Sequence, residues 1–245
     1  MPTLSPSKGF FLAVLMFLLA AGPLTGCAPD LEPLRPRPSI IPTPDSPGNV
    51  LRLLEWSCDN RAVSEYRVLF TEDFYFVFSA LDASGNAYRD NPWRREDELT
   101  STTKLFQGGD TNQPAASNIS LDLDRNFVVL NDPRPGKLGR WHKMIRTSVA
   151  LRILAGGDQV DVTGGALFFA VRGDSALIPQ ELRELGFLSD SNRWYIERWE
   201  DETAQPVPPP EGRSLPAQET KGRHRLAAAN PTKNMSWGQV KVAYR

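Results

Sequence analysis

Two cysteines and two histidines in 245 residues exclude several chemistries at once. With only Cys27 and Cys58, no disulfide framework can be built, and with no Cys/His cluster at ligand spacing no structural zinc or other metal is expected. Cys58 has no base near it in sequence and reads as a small buried hydrophobe, not a reactive thiol. Long apolar runs are also missing. The most extended, Phe10 to Ala21, is about a dozen residues, against roughly 20 for a bilayer-crossing helix. The formal net charge of −1 and a thin, interrupted basic tail give no nucleic-acid surface, and no cofactor motif is present. What the chain does have is 40% hydrophobic residues and 21 prolines, enough for one core flanked by extended segments.

The prolines and the apolar run mark the ends. Lys8 precedes the uncharged run, and small residues follow it, the layout of a secretory signal. Leu24-Thr25-Gly26-Cys27 then resembles the lipobox of bacterial lipoproteins. The resemblance implies cleavage after residue 26 and lipidation of Cys27, whose acyl chains would hold the protein to membrane lipid. Ala28, where an acidic residue would matter for sorting, points to the outer membrane facing the periplasm in a Gram-negative cell envelope. Residues 27–47 hold seven prolines between Ala28 and Pro47 and read as an extended linker. Residues 202–234, with Pro206-Val207-Pro208-Pro209-Pro210 and little apolar content, read as a disordered linker. Residues 48–201 carry 18 basic and 23 acidic residues, net −5, and 202–245 carry 7 and 3, net +4.

Between the linkers the periodicity changes from helical to strand-like. Ser46-Pro47 predicts a helix start with Val50, Leu51, Leu54 and Trp56 on its apolar side. Asp59 is expected to cap a second helix through Phe70. Phe74 to Phe78 reads as a first strand, Asp82 to Asn86 as a turn, and Asn91-Pro92-Trp93 as the start of a third helix ended by Gly108. Alternation then dominates, over Ile119–Leu123, Trp141–Ile153, Val160–Val171 and Arg193–Trp199, with Gly156-Gly157-Asp158 as a hairpin turn. Pro179 to Leu185 reads as a helical turn. In 235–245, Val240, Val242 and Tyr244 alternate, predicting either an extra strand or a recognition peptide.

This order, helix, helix, strand, helix, then long antiparallel strands, resembles the nuclear transport factor 2-like superfamily, which includes ketosteroid isomerases and polyketide cyclases. Two strings support it: Tyr66-Arg67-Val68-Leu69-Phe70-Thr71-Glu72-Asp73-Phe74 and Trp194-Tyr195-Ile196-Glu197-Arg198-Trp199-Glu200-Asp201. The resemblance covers about residues 47–201. It implies an α+β, cone-shaped domain in which three N-terminal helices pack on a curved antiparallel sheet around an apolar pocket. Uncharacterised lipoproteins of similar layout share it. Some other α+β domain is the alternative.

Candidate site residues are few. Tyr66 and Trp93 suit a pocket wall, having an apolar body and a polar tip. His142 is the lone histidine of the domain and a candidate acid or base, though alternation sets it with Met144 and Arg146 on a solvated face. Asp122 and Asp124 share a face but lack further cation ligands, and Arg172-Gly173-Asp174 reads as a turn. Because no acid–base set can be assigned, the expectation is a non-enzymatic module for a small apolar ligand or an envelope protein, able to form homo-oligomers. The alternative is an isomerase, dehydratase or cyclase working in the same pocket.

Overall fold

In the computed structural model, residues 40–203 and 232–245 are described. The signal region, Cys27, most of the first linker and residues 204–231 of the second lie outside them. The first helix, α1 (Pro47–Asn60), begins as expected, with the Ser46 side chain accepting from the Asn49 N–H at 3.1 Å. Val50, Leu51, Leu54, Ser57 and Cys58 form its buried stripe at helical spacing. It ends at Arg61, which is left-handed at φ 51°. The conformation costs a non-glycine residue roughly 1 kcal/mol. The Arg61 guanidinium donates to the Ala116 carbonyl at 2.6 Å, tying that corner to the sheet.

Asp59 therefore does not cap a second helix. It lies inside α1, and its carboxylate accepts from the Leu121 N–H at 2.8 Å. The second helix is short, α2 (Val63–Arg67), and strand β1 (Phe70–Val77) starts four residues before the predicted strand. The reason is that Phe70, Phe74 and Phe76 are all buried once the segment pairs with the last long strand. A 3-10 helix over Ala83–Tyr88, capped by Asp82, fills the predicted turn. Trp93 likewise does not start the third helix. Trp93–Arg94 form strand β2 against β1, and helix α3 (Arg95–Thr103) follows, continuing as a π-helical turn over Lys104–Gly108.

The remaining strands are β3 (Ala116–Leu123), β4 (Val128–Asn131), β5 (His142–Ala155), β6 (Asp158–Arg172) and β7 (Trp194–Thr203), with helix α4 (Gln180–Glu184) before β7. β5 and β6 form a long hairpin paired from His142–Val171 to Ala155–Asp158. Its two-residue turn has Gly156 at φ 58° and Gly157 at φ 90°, the geometry of a type I′ turn that side chains resist. The sheet order is β2-β1-β7-β6-β5-β3, with β4 also on β5. The fold is thus α+β, but the sheet is mixed, not antiparallel throughout. β1 runs parallel to β7, as the long crossover between them allows, and β3, β5, β6 and β7 form the expected antiparallel part.

The C-terminal segment departs most from expectation. Thr232–Asn234 form a short strand β8 parallel to β6, and Trp237–Ala243 form a helix, α5. Val240, Val242 and Tyr244 do alternate, but Trp237, Val240, Lys241 and Tyr244 are the buried set, at i, i+3, i+4 and i+7. Ser236 and Gln239 complete a reciprocal cap, the Ser236 hydroxyl accepting at 3.0 Å and the Gln239 side chain at 2.9 Å. Helical period and cap together outweigh strand propensity here.

Candidate functional site

α3 turns a polar stripe inward. Glu98, Ser101 and Thr102 are buried, at i, i+3 and i+4. An inward carboxylate is costly unless it is paired, and the surroundings of Glu98 supply the partners. Its Oε1 accepts from the Tyr66 hydroxyl of α2 at 2.5 Å and from the Lys241 ammonium of α5. Its Oε2 accepts from the Trp93 indole N–H at 3.0 Å. Glu98 is 0% exposed and Lys241 3%. Elements far apart in sequence thus converge on one carboxylate.

The rest of the chamber is aromatic and apolar. The Lys241 nitrogen lies 4.4 Å from the centroid of Trp199, 4.6 Å from that of Phe76 and 5.5 Å from that of Trp237, within cation–π range of all three. Tyr66 packs against Phe70 and Phe106 at 5.0 and 5.6 Å between centroids. Beside Lys241 and Tyr66 is an internal cavity of about 20 Å³, also touched by Cys58 and Ser101, room for about one water. A larger cleft of about 240 Å³ lies nearby, bounded by Phe76, Phe78, Asp82 and Tyr88. The smaller space is the one beside the chemistry.

Burial sets the protonation states. It pushes the Tyr66 hydroxyl well above its ordinary range, with the Glu98 charge adding to the effect. Burial lowers the Lys241 amine, with Glu98 opposing it. The Cys58 thiol is pushed up by burial and then by the neighbouring Asp59, so it stays protonated and unreactive. Next to the chamber, burial also raises Asp201, while N–H and O–H groups of Thr203 and Gly238 oppose the shift.

Of the residues singled out by sequence, the structure brings Tyr66 and Trp93 together on Glu98 and leaves His142 elsewhere. His142 is buried at the start of β5, its Nδ1 3.3 Å from the Leu138 carbonyl oxygen, and lies outside the chamber lining. It is not solvated as alternation suggested, because the preceding loop folds back so that the His142 N–H also reaches Leu138. Asp124 is held by Ser148, and no cluster of possible metal ligands occurs among the described residues. Arg172 and Asp174 pair with each other in a turn, as read. Glu98, Lys241 and Asp201 were missed by sequence reasoning. Glu98 hides in the charged string Arg94-Arg95-Glu96-Asp97-Glu98, and Lys241 in a tail read as a strand. The Ser236-Trp237-Gly238-Gln239 cap was the signal that could have exposed Lys241.

No family model matches the sequence, and no curated protein matches it. Solved structures do resemble its fold at low identity. One is a nuclear transport factor 2-like superfamily protein from Salmonella enterica, 12% identical, TM-score 0.39, covering 68% of this chain and 92% of its own. A conserved protein from Planctomyces limnophilus is 12% identical, TM-score 0.41, with 64% and 92% covered. A hexachlorocyclohexane dehydrochlorinase is 6% identical, TM-score 0.39, with 62% and 78% covered. These descriptions belong to those proteins.

The expectation of a non-enzymatic module is nevertheless corrected. It rested on the lack of an assignable acid–base set, and the Tyr66–Glu98–Lys241 constellation is such a set, buried and mutually positioned.

Proposed function

We propose that the chain is an acid–base enzyme of the isomerase, dehydratase or cyclase kind, working in a nuclear transport factor 2-like domain. The observation that carries this reading is the buried Glu98 carboxylate, gripped by Tyr66 and Trp93 in an aromatic chamber. Glu98 takes a proton from carbon next to a substrate carbonyl. Tyr66, kept neutral by burial, donates its hydrogen bond to the carbonyl oxygen as negative charge grows there. Return of that proton from Glu98 to a different carbon isomerises the substrate; its delivery to a β-hydroxyl, as the C–O bond breaks and water leaves, dehydrates it. Trp93 fixes the other carboxylate oxygen and so aims the first. In this reading the domain stands at a bacterial cell envelope, anchored through Cys27 as the Leu24-Thr25-Gly26-Cys27 string supports. Replacement of Cys27 by Ser should then abolish incorporation of labelled palmitate.

The chemistry is tested by proton NMR of a panel of cyclic enones and β-hydroxyketones, each with and without an aminoalkyl substituent, in D2O with the full chain. Catalysed deuterium entry next to the carbonyl is expected for one member. Glu98→Gln should abolish it, and Tyr66→Phe should lower it by roughly 100-fold or more. A Glu98→Gln protein exchanging at the wild-type rate, or a panel with no exchange above buffer, defeats the reading.

A further inference from the structure

Lys241 reaches Glu98 from a segment joined to the domain only through residues 204–231, and the seat of that segment has the character of a ligand site. Two of the three rings around the ammonium, Phe76 and Trp199, and the carboxylate itself belong to the domain; the third ring, Trp237, arrives with α5. The contacts at the helix start are polar and close. The Gly238 N–H donates to Asp201 at 3.0 Å, the Trp237 N–H to the Thr203 hydroxyl at 3.0 Å, and the Ser236 hydroxyl to Asp82 at 2.5 Å. Gly238 permits the approach, since a Cβ there would meet Asp82 Oδ2 at 2.5 Å and the Phe78 ring at 2.6 Å. Residues 232–245 bring three basic and no acidic side chains to a domain of net charge −5. Trp199 adds a buried indole N–H without a hydrogen-bond partner, a donor still to be used.

We propose that the chamber is a binding site for an organic ammonium group, which Lys241 occupies in cis, and that a substrate bearing such a group displaces α5. This rests on the acid–base reading only in calling the ligand a substrate. The recognition is the aromatic walls of Phe76 and Trp199 with the Glu98 carboxylate, which together favour an alkylammonium over a neutral chain of the same shape. Departure of α5 also frees Phe76 and Asp82, which border the 240 Å³ cleft, so the vacated seat and the cleft become continuous and admit a molecule larger than water.

The test is hydrogen exchange of the wild-type full chain with n-butylammonium chloride, against n-butanol and against potassium chloride at the same concentration. The ammonium should speed exchange of the α5 amides by about tenfold, with the β5–β6 amides unchanged and both controls inactive. The proposal is overturned if α5 exchanges only together with the sheet, or if butanol or potassium chloride acts as strongly. In Gly238→Ala, where α5 is pushed from its seat, the concentration of butylammonium needed should fall; an unchanged requirement also counts against displacement. Release of α5 by the ammonium without deuterium entry into any ketone would sink the acid–base reading and leave this site standing. The reverse result would do the opposite.

Discussion

Two ionic clusters lie within this domain, and burial acts on them in opposite ways. Around Glu197 of β7, Arg134 and Lys137 provide two cations against two carboxylates, Asp132 and Glu197. The Arg134 guanidinium also lies 4.3 Å from the Phe169 ring centroid. Burial opposes the charge of Asp132, yet hydrogen bonds from Arg134 hold its carboxyl below the usual range, and Arg134 itself is raised despite burial. Around Glu98 one carboxylate serves three donors, and burial prevails: the Lys241 amine is lowered and the Tyr66 hydroxyl raised. The first cluster is charge-matched, and its hydrogen bonds favour the ionised forms of Asp132 and Arg134. In the second, burial works against the charged forms of Lys241 and Tyr66, an arrangement that costs stability.

The widest separation between the two is expected on removing a carboxylate. Glu98→Ala strands a buried ammonium, a phenol and an indole N–H, and should cost about 3–5 kcal/mol in urea unfolding. Glu98→Leu combined with Lys241→Met removes both charges and should recover most of that loss. In Glu197→Gln, by contrast, Arg134 keeps both oxygens of Asp132, so a loss of about 1–2 kcal/mol is expected. Equal losses at Glu98 and Glu197 would erase the distinction.

A smaller effect, confined to a different pH range at each site, should appear with pH. The folded pKa of Lys241 lies below its unfolded value near ~10.4, so between the two values the unfolded chain binds more protons. Wild-type stability relative to Lys241→Met should therefore rise with pH up to about 10.4 and then level off. Asp132 is depressed below its unfolded value near ~3.9. Its stabilisation is present above that value and is lost as pH falls through the folded one, so the advantage over Asp132→Asn should shrink only below about pH 4. A wild-type advantage over Lys241→Met that stays flat on the alkaline side would mean that Glu98 offsets the burial of Lys241 completely.

The legibility of the two clusters differs for a physical reason. The helix start at Ser46, the Gly156-Gly157 hairpin and the alternation of β3, β5, β6 and β7 were readable because each rests on local spacing or turn chemistry. The parallel pairing of β1 with β7 was not, because it depends on a crossover of more than a hundred residues. Tyr66 and Trp93 could be named as wall residues from their shape. Glu98 could not, since an acid in the first turn of a helix is usually stabilised by the helix dipole and solvated, and the cation that helps to make its burial tolerable, Lys241, lies 143 positions away. Read as a strand, the tail put Lys241 opposite Val240 and Val242; as a helix it sets Lys241 beside Val240 on the buried face.

The smallest expected effect concerns whether the Glu98 cluster depends on a separable element. Ser236→Ala removes the hydroxyl that caps the Gln239 N–H and donates to Asp82. Loss of such a cap costs about 0.5–2 kcal/mol. If α5 opens on its own, that cost falls on local opening, and α5 amides should exchange roughly 2- to 30-fold faster. Amides of β5 and β6 beside the Arg134 cluster should keep their wild-type rates, because the ion pairs of Arg134 and Lys137 run to Asp132 and Glu197 and not to the tail segment. Uniform acceleration across α5 and the hairpin would instead place both clusters in one cooperative unit, and the buried lysine would then be a fixed part of the core like any other residue there.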